Sequence, residues 1–140
     1  MYKGEQTGGQ DFYKLLLDSE EFTSEIGKLA LASGMLEAEI SMYLKRKGIK
    51  IDSDKVTLGR LITLAKKNDV FEKNLLIVLS EIKTQRNEFM HRLYSLFIGL
   101  LDEELFPIKN LLDSDVKTYI DYAWQVRSNI QGVAETISKK

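Results

Sequence analysis

Residues 19–48 read SEEFTSEIGKLALASGMLEAEISMYLKRKG. Phe22, Ile26, Leu29, Ser33, Leu36, Ile40 and Tyr43 recur at alternating spacings of four and three. That is the period of a helix packed along its length against other helices. Asp18 or Ser19 can cap its start, and Glu20 and Glu21 suit the positive end of its dipole. Lys45, Arg46 and Lys47 suit the negative end, and Gly48 fits the left-handed position just past it. Gly27 and Gly34 lie inside the helix, where each costs about 1 kcal/mol against alanine. Close packing of a neighbouring helix is the expected compensation.

The flanks repeat this pattern. Upstream, residues 1–10 are polar and glycine-containing and read as a tail, and Phe12, Leu15 and Leu16 give a short lead-in helix ending near Asp18. Downstream, residues 48–56 form a connection. Thr57 then caps a short helix carrying Leu58, Leu61, Ile62 and Ala65, and Lys66, Lys67 and Asn68 end it. Asp69 opens a third helical region with a stripe of Phe71, Leu75, Val78, Ile82 and Phe89, broadened by Leu76, Leu79, Met90, Leu93 and Phe97. From Asp69 to Phe106 a single helix would span roughly 57 Å, too long for so small a domain. A break is expected near Thr84–Arg86 or near Gly99–Leu101. Pro107 marks a boundary, and Asp113 or Ser114 caps a last helix with the stripe Val116, Tyr119, Ala123, Val126, Ile130, Val133, Ile137. Strand periodicity and internal repeats are absent. The expectation is an all-α, up-and-down bundle of four to five helices forming one domain over residues 11–140.

Composition narrows the function. The net charge of −1 gives no global basic field to draw the chain onto nucleic acid, so any such contact needs a local patch. With no cysteine and one histidine, disulfides, thiolate zinc sites, a cysteine nucleophile and His-rich metal sites within one chain are all excluded. No metal or cofactor is therefore expected. Without a membrane-length apolar run or a leader-like start, the expectation is a soluble, cytoplasmic protein.

The chemistry-bearing stretch is Gln85–Tyr94, QRNEFMHRLY, which holds the single histidine, His91. Asn87 and His91 are four apart and share a helix face. Arg86 lies roughly 140° around the axis from His91, so its long side chain must swing, or the helix must break, for the two to meet. A proton-transfer group, a fixed cation and an amide suit reaction at a phosphate ester. These three are the candidate catalytic residues. They belong to a row of small, polar or functional side chains, Ser80, Thr84, Asn87, His91, then Tyr94 or Ser95. A wholly solvated face would carry Lys and Glu. The row reads as a polar helix–helix seam or as the floor of a site, which makes Ser80, Thr84 and Tyr94 candidate substrate contacts.

Arg86, Asn87 and His91 resemble the motif of the HEPN superfamily, all-helical nucleotide- and RNA-associated domains. That motif is an arginine, commonly followed by a polar residue, then a histidine after four to six residues. The run from Thr57 to Ile62 leading up to it also resembles small prokaryotic HEPN proteins. The resemblance implies a metal-independent endoribonuclease of a toxin–antitoxin or phage-defence system, dimerised so that two motifs face one cleft, with RNA as substrate and an antitoxin protein as partner. His91 would act as general base or acid, Arg86 would stabilise phosphorane charge, and Asn87 would orient either the histidine or the phosphate. Some HEPN toxins carry a tyrosine two residues after the histidine; here Leu93 stands there and Tyr94 follows. Other HEPN domains are non-catalytic RNA-, nucleotide- or protein-binding modules, which is the alternative function.

Plainer readings stand beside these. His91 also fits a histidine bonded in a helix seam or at the surface, Arg86 an ion pair with Glu81 or Glu88, and Tyr94 simple packing. Lys45–Lys47 with Lys50 reads as a helix end or a phosphate contact, Asp102–Glu104 as a solvated face or a divalent-cation site, and Trp124, Tyr119 and Tyr122 as core or interface aromatics or as base-stacking platforms.

Overall fold

The structure, a computed structural model, describes residues 9–52, 56–101 and 111–140. It contains five helices, α1 (Gly9–Asp18), α2 (Glu20–Arg46), α3 (Leu58–Lys67), α4 (Lys73–Leu101) and α5 (Leu111–Ser138), and no strand among the described residues. The fold is an all-α helical bundle.

Ser19 separates α1 from α2. Its backbone is extended and its hydroxyl accepts the Phe22 N–H at 3.1 Å, satisfying one orphan donor of the new helix. Thr57 does the same for α3, accepting the Arg60 N–H at 3.3 Å. Both of these helices end alike. After α2, Gly48 turns left-handed (φ +79°), its N–H reaches the Lys45 carbonyl, and the Ile49 N–H reaches that of Leu44. After α3, Asp69 takes the same turn at φ +52°, with the Asp69 and Val70 N–H groups on the Lys66 and Ala65 carbonyls. The two paired bonds form a Schellman closure, with Ile49 and Val70 packing against the core beyond it.

The α2–α5 pair is the centre of the bundle. The two run parallel: Glu25, near the start of α2, meets Arg127, past the middle of α5, and further along Lys28–Glu39 border a groove with Gln131–Ser138. α4 runs back against α5, placing Phe89 on Tyr122 (ring centroids 5.0 Å apart) and Gln85 against Asn129. α3 lies along α4, with Gly59 beside Lys83. α1 adds Phe12 and Leu16 to the core, and the Phe12 ring meets Tyr119 edge-on. Each fully buried side chain of this size contributes about 1.5–3 kcal/mol.

Several expectations are corrected. α1 begins at Gly9, so Gly9 and Gln10 belong to a helix; residues 1–8 lie outside the described residues. α4 starts at Lys73 because Asp69 is the left-handed turn that closes α3. It then runs unbroken to Leu101, which excludes the break near Thr84–Arg86; of the two expected positions Gly99–Leu101 is the one at which the described helix ends, and residues 102–110 lie outside the described residues. Its 29 residues extend roughly 43 Å, with more helix-forming side chains than breakers to hold it together. Pro107 lies outside the described residues. α5 is already helical at Leu111, so neither Asp113 nor Ser114 caps it. Around Gly27 and Gly34 nothing among the described residues lies within 4 Å of where a Cβ would be, so none of the five helices packs on them. The α2 core row is Phe22, Glu25, Leu29, Ala32, Leu36, Ile40 and Leu44, with Ile26, Ser33 and Tyr43 at its edge. Glu25 enters that row because Arg127 neutralises it.

Candidate functional site on α4

α4 carries the whole motif, and because the helix is continuous its side chains diverge. The row opposite the core is exposed: Ser80, Thr84, Asn87, His91, Tyr94 and Ser95. Asn87 and His91 stand one turn apart on it. The His91 Nε2 lies 3.5 Å from Ser95 Oγ, at the outer limit of a hydrogen bond. Asn87 has no hydrogen-bond partner among the described residues. Thr84 turns its hydroxyl back onto the Ser80 carbonyl at 3.0 Å, a bond within its own helix. Tyr94 is 58% exposed, which removes the packing reading for it.

Arg86 points elsewhere. It sits on the shoulder of α4 that faces the bundle and reaches across to α2, where Nη1 lies 3.6 Å from Oε1 of Glu37. The partner is thus neither Glu81 nor Glu88. At that distance the pair is an attraction without a close hydrogen bond, and its two side chains are 22% and 34% exposed. Arg86 and His91 therefore do not converge within one chain. The side chain after His91, Arg92, lies over the Tyr122 ring at 5.7 Å, a cation–π contact that fixes it to α5.

Ser80 and Thr84 face a groove between α3 and α4 of about 560 Å³, with Ile62, Leu76 and Ile77 as its apolar walls and Lys66 and Lys73 at its rim. Arg86, Asn87, His91 and Tyr94 do not line it. The candidate residues thus fall into three places: a groove, an exposed edge and a cross-bundle ion pair. The basic cluster at the end of α2 is partly spent on Tyr43, whose ring lies 5.6 Å from the Arg46 guanidinium and 5.5 Å from the Lys47 ammonium. Lys45, Lys50 and Arg60 instead surround a depression of about 610 Å³ that also holds Asp52. Trp124, a candidate for base stacking, is 48% exposed on α5.

Sequence reading missed the polar links between helices. Arg127 Nε and Nη2 donate to the two carboxylate oxygens of Glu25 at 2.9 and 2.8 Å, and its Nη1 donates to Gln131 at 3.0 Å. The hydrogen bonds to Glu25 raise the Arg127 pKa above its usual value, against the opposing effect of burial. Gln125 donates to Asn129, which donates to Gln85 at 3.1 Å. The available signal was Glu25 itself, a carboxylate three residues after Phe22 in a core register, which requires a cation. Its partner, 102 residues away, has no local mark.

Among the described residues no group of three or more His, Asp or Glu side chains could hold a metal ion, and residues 102–104 lie outside them. No helix of the described residues is long and apolar enough to cross a membrane. Comparison with family models, curated proteins and solved structures returns no match to this chain.

Proposed function

We propose that this chain is a HEPN-like domain that cleaves RNA without a metal, in a toxin–antitoxin or phage-defence setting. The observation that supports the reading best is the exposed Asn87–His91 pair. The single imidazole of the protein stands exposed on a helix edge, 3.5 Å from the Ser95 hydroxyl and without a core contact among the described residues. An imidazole there can take the proton of a ribose 2′-hydroxyl as that oxygen attacks phosphorus. The P–O5′ bond then breaks, and an imidazolium gives a proton to the departing 5′-oxygen. With one histidine per chain, two copies divide the base and acid roles, which fits the paired-motif cleft implied by the resemblance. Asn87 orients the imidazole or a phosphate oxygen. Arg86 supplies the cation for the phosphorane once an RNA phosphate replaces Glu37 as its partner.

One observation favours a second reading. Arg86 engages Glu37 on the opposite side of α4 from His91, the arrangement of a non-catalytic module that binds RNA, nucleotide or protein along the exposed edge. The two readings separate in a bacterial host expressing wild type, Arg86→Ala or His91→Ala at matched levels. Slowed growth with fragmented RNA in wild type, lost in both variants, supports the ribonuclease. Intact RNA and equal growth in all three leaves the binding module, which then retains RNA binding when His91 is replaced.

A further inference from the structure

The net charge of −1 conceals a sharp division. Residues 43–73 hold nine of the 20 basic residues and four of the 21 acidic ones, a formal +5, which leaves the remainder at −6. The fold gathers that segment at one end of the bundle. There the end of α2, the turn after it, α3 and the start of α4 come together, with the Tyr43 ring stacked on Phe71 at 4.9 Å and its hydroxyl donating to the Val70 carbonyl at 3.4 Å.

The cations gathered there do not hold the fold together. Lys28, Arg86, Arg127 and Lys139 all lie outside the segment, and each has a carboxylate partner. Among the described residues no cation inside the segment has one, and Arg46 and Lys47 rest on the Tyr43 ring instead. The others divide between two hollows. Lys45, Lys50 and Arg60 surround the depression beside the turn after α2, where Asp52 is the one carboxylate in the lining. On the other flank of α3, Lys66 and Lys73 stand at the rim of the α3–α4 groove, whose one carboxylate is Glu81. That groove reaches Ser80 and Thr84, the start of the row that leads on to Asn87 and His91. Ser80 to His91 is roughly 16 Å of helix.

Unpaired cations spread over two adjoining hollows suit an extended polyanion. The exposed large hydrophobics of the described residues, such as Leu31 and Trp124, all lie outside residues 43–73, which disfavours a lipid surface. No aromatic side chain lines either hollow, so neither offers a platform for stacking bases, and contact is with the backbone.

We infer that this basic end anchors the backbone of single-stranded RNA, with phosphates at Lys45, Lys50 and Arg60 and then at Lys66 and Lys73, and that the strand continues along the α3–α4 groove toward His91. The choice of RNA rests on the ribonuclease reading; the anchoring itself requires no catalysis.

The test is fluorescence anisotropy of the full chain with a labelled 2′-O-methyl RNA of about 12 nucleotides, which lacks the nucleophilic hydroxyl and so reports binding alone. Affinity is expected to fall with salt at a log–log slope near −3.5, for about five phosphates. Lys50→Ala/Arg60→Ala and Lys66→Ala/Lys73→Ala should each weaken binding about tenfold and make the slope shallower by about 1.4. Lys139→Ala, on the far part of the chain, should stay within about twofold of wild type. Thermal melts of both double variants should match wild type, because none of the four side chains has a partner in the fold. No binding at low salt overturns the inference, as does a slope that both double variants leave unchanged, or an equal loss in Lys139→Ala. Capture by phosphatidylserine vesicles without RNA binding overturns it in favour of a membrane. Salt-dependent binding without cleavage of ordinary RNA removes the ribonuclease reading and leaves the anchor. Cleavage by wild type that neither double variant slows removes the anchor and leaves the ribonuclease.

Discussion

Glu25 is 9% exposed, the one charged side chain in the described core, and Arg127 is what permits it there. Arg127→Ala leaves a carboxylate in the α2–α5 contact without its two donors. The expected loss is about 3 kcal/mol by urea denaturation, and Glu25→Met/Arg127→Met together recover most of it. Arg86 is in a looser pair, and Glu37 is the residue that reports on its task. Glu37→Gln frees the guanidinium. In the ribonuclease reading RNA cleavage then holds or rises, while stability falls by less than about 1 kcal/mol. Reduced cleavage with unchanged stability would show instead that Glu37 itself serves the site. At this scale the sequence was legible in part. His91, Asn87 and Arg86 could be named from their spacing, and their divergence was visible in the roughly 140° between Arg86 and His91. Glu37 was invisible, because a contact across 49 positions has no signature in either neighbourhood.

Among the elements, caps and stops were the most readable features. Ser19, Thr57, Gly48 and Asn68 stand where the chemistry of helix ends puts them, since a cap depends on four or five adjacent residues and little else. Gly48→Ala forces a Cβ into a left-handed turn and lowers stability by about 1 kcal/mol. Gly132→Ala, inside α5 with nothing within 4 Å of the added carbon, raises it by a similar amount; thermal melts of the two variants should move in opposite directions. The start of α4 was misread because Asp69 resembles a helix cap in sequence, whereas its positive φ closes the preceding helix. The anticipated break near Thr84 failed for a related reason. It was argued from a helix spanning residues 69–106, whereas the described helix is Lys73–Leu101 and contacts α1, α3 and α5.

For the molecule as a whole, periodicity was enough to give an all-helical bundle, while the parallel α2–α5 pairing at its centre was not legible. Which helices adjoin depends on contacts such as Phe89 against Tyr122 and Glu25 against Arg127, distant in sequence. Phe89 is fully buried where α4 meets α5, and Phe89→Ala should cost about 3–5 kcal/mol by chemical denaturation. The same bundle leaves the Asn87–His91 edge of α4 exposed among the described residues, and the functional account rests on it. Its most direct test is incubation of purified protein with single-stranded RNA in excess EDTA, comparing wild type, Arg86→Ala and His91→Ala. The account predicts cleavage by wild type, with a loss of at least about 100-fold in each variant and folding unchanged. Intact RNA with wild type, or cleavage that survives the loss of His91, would contradict it.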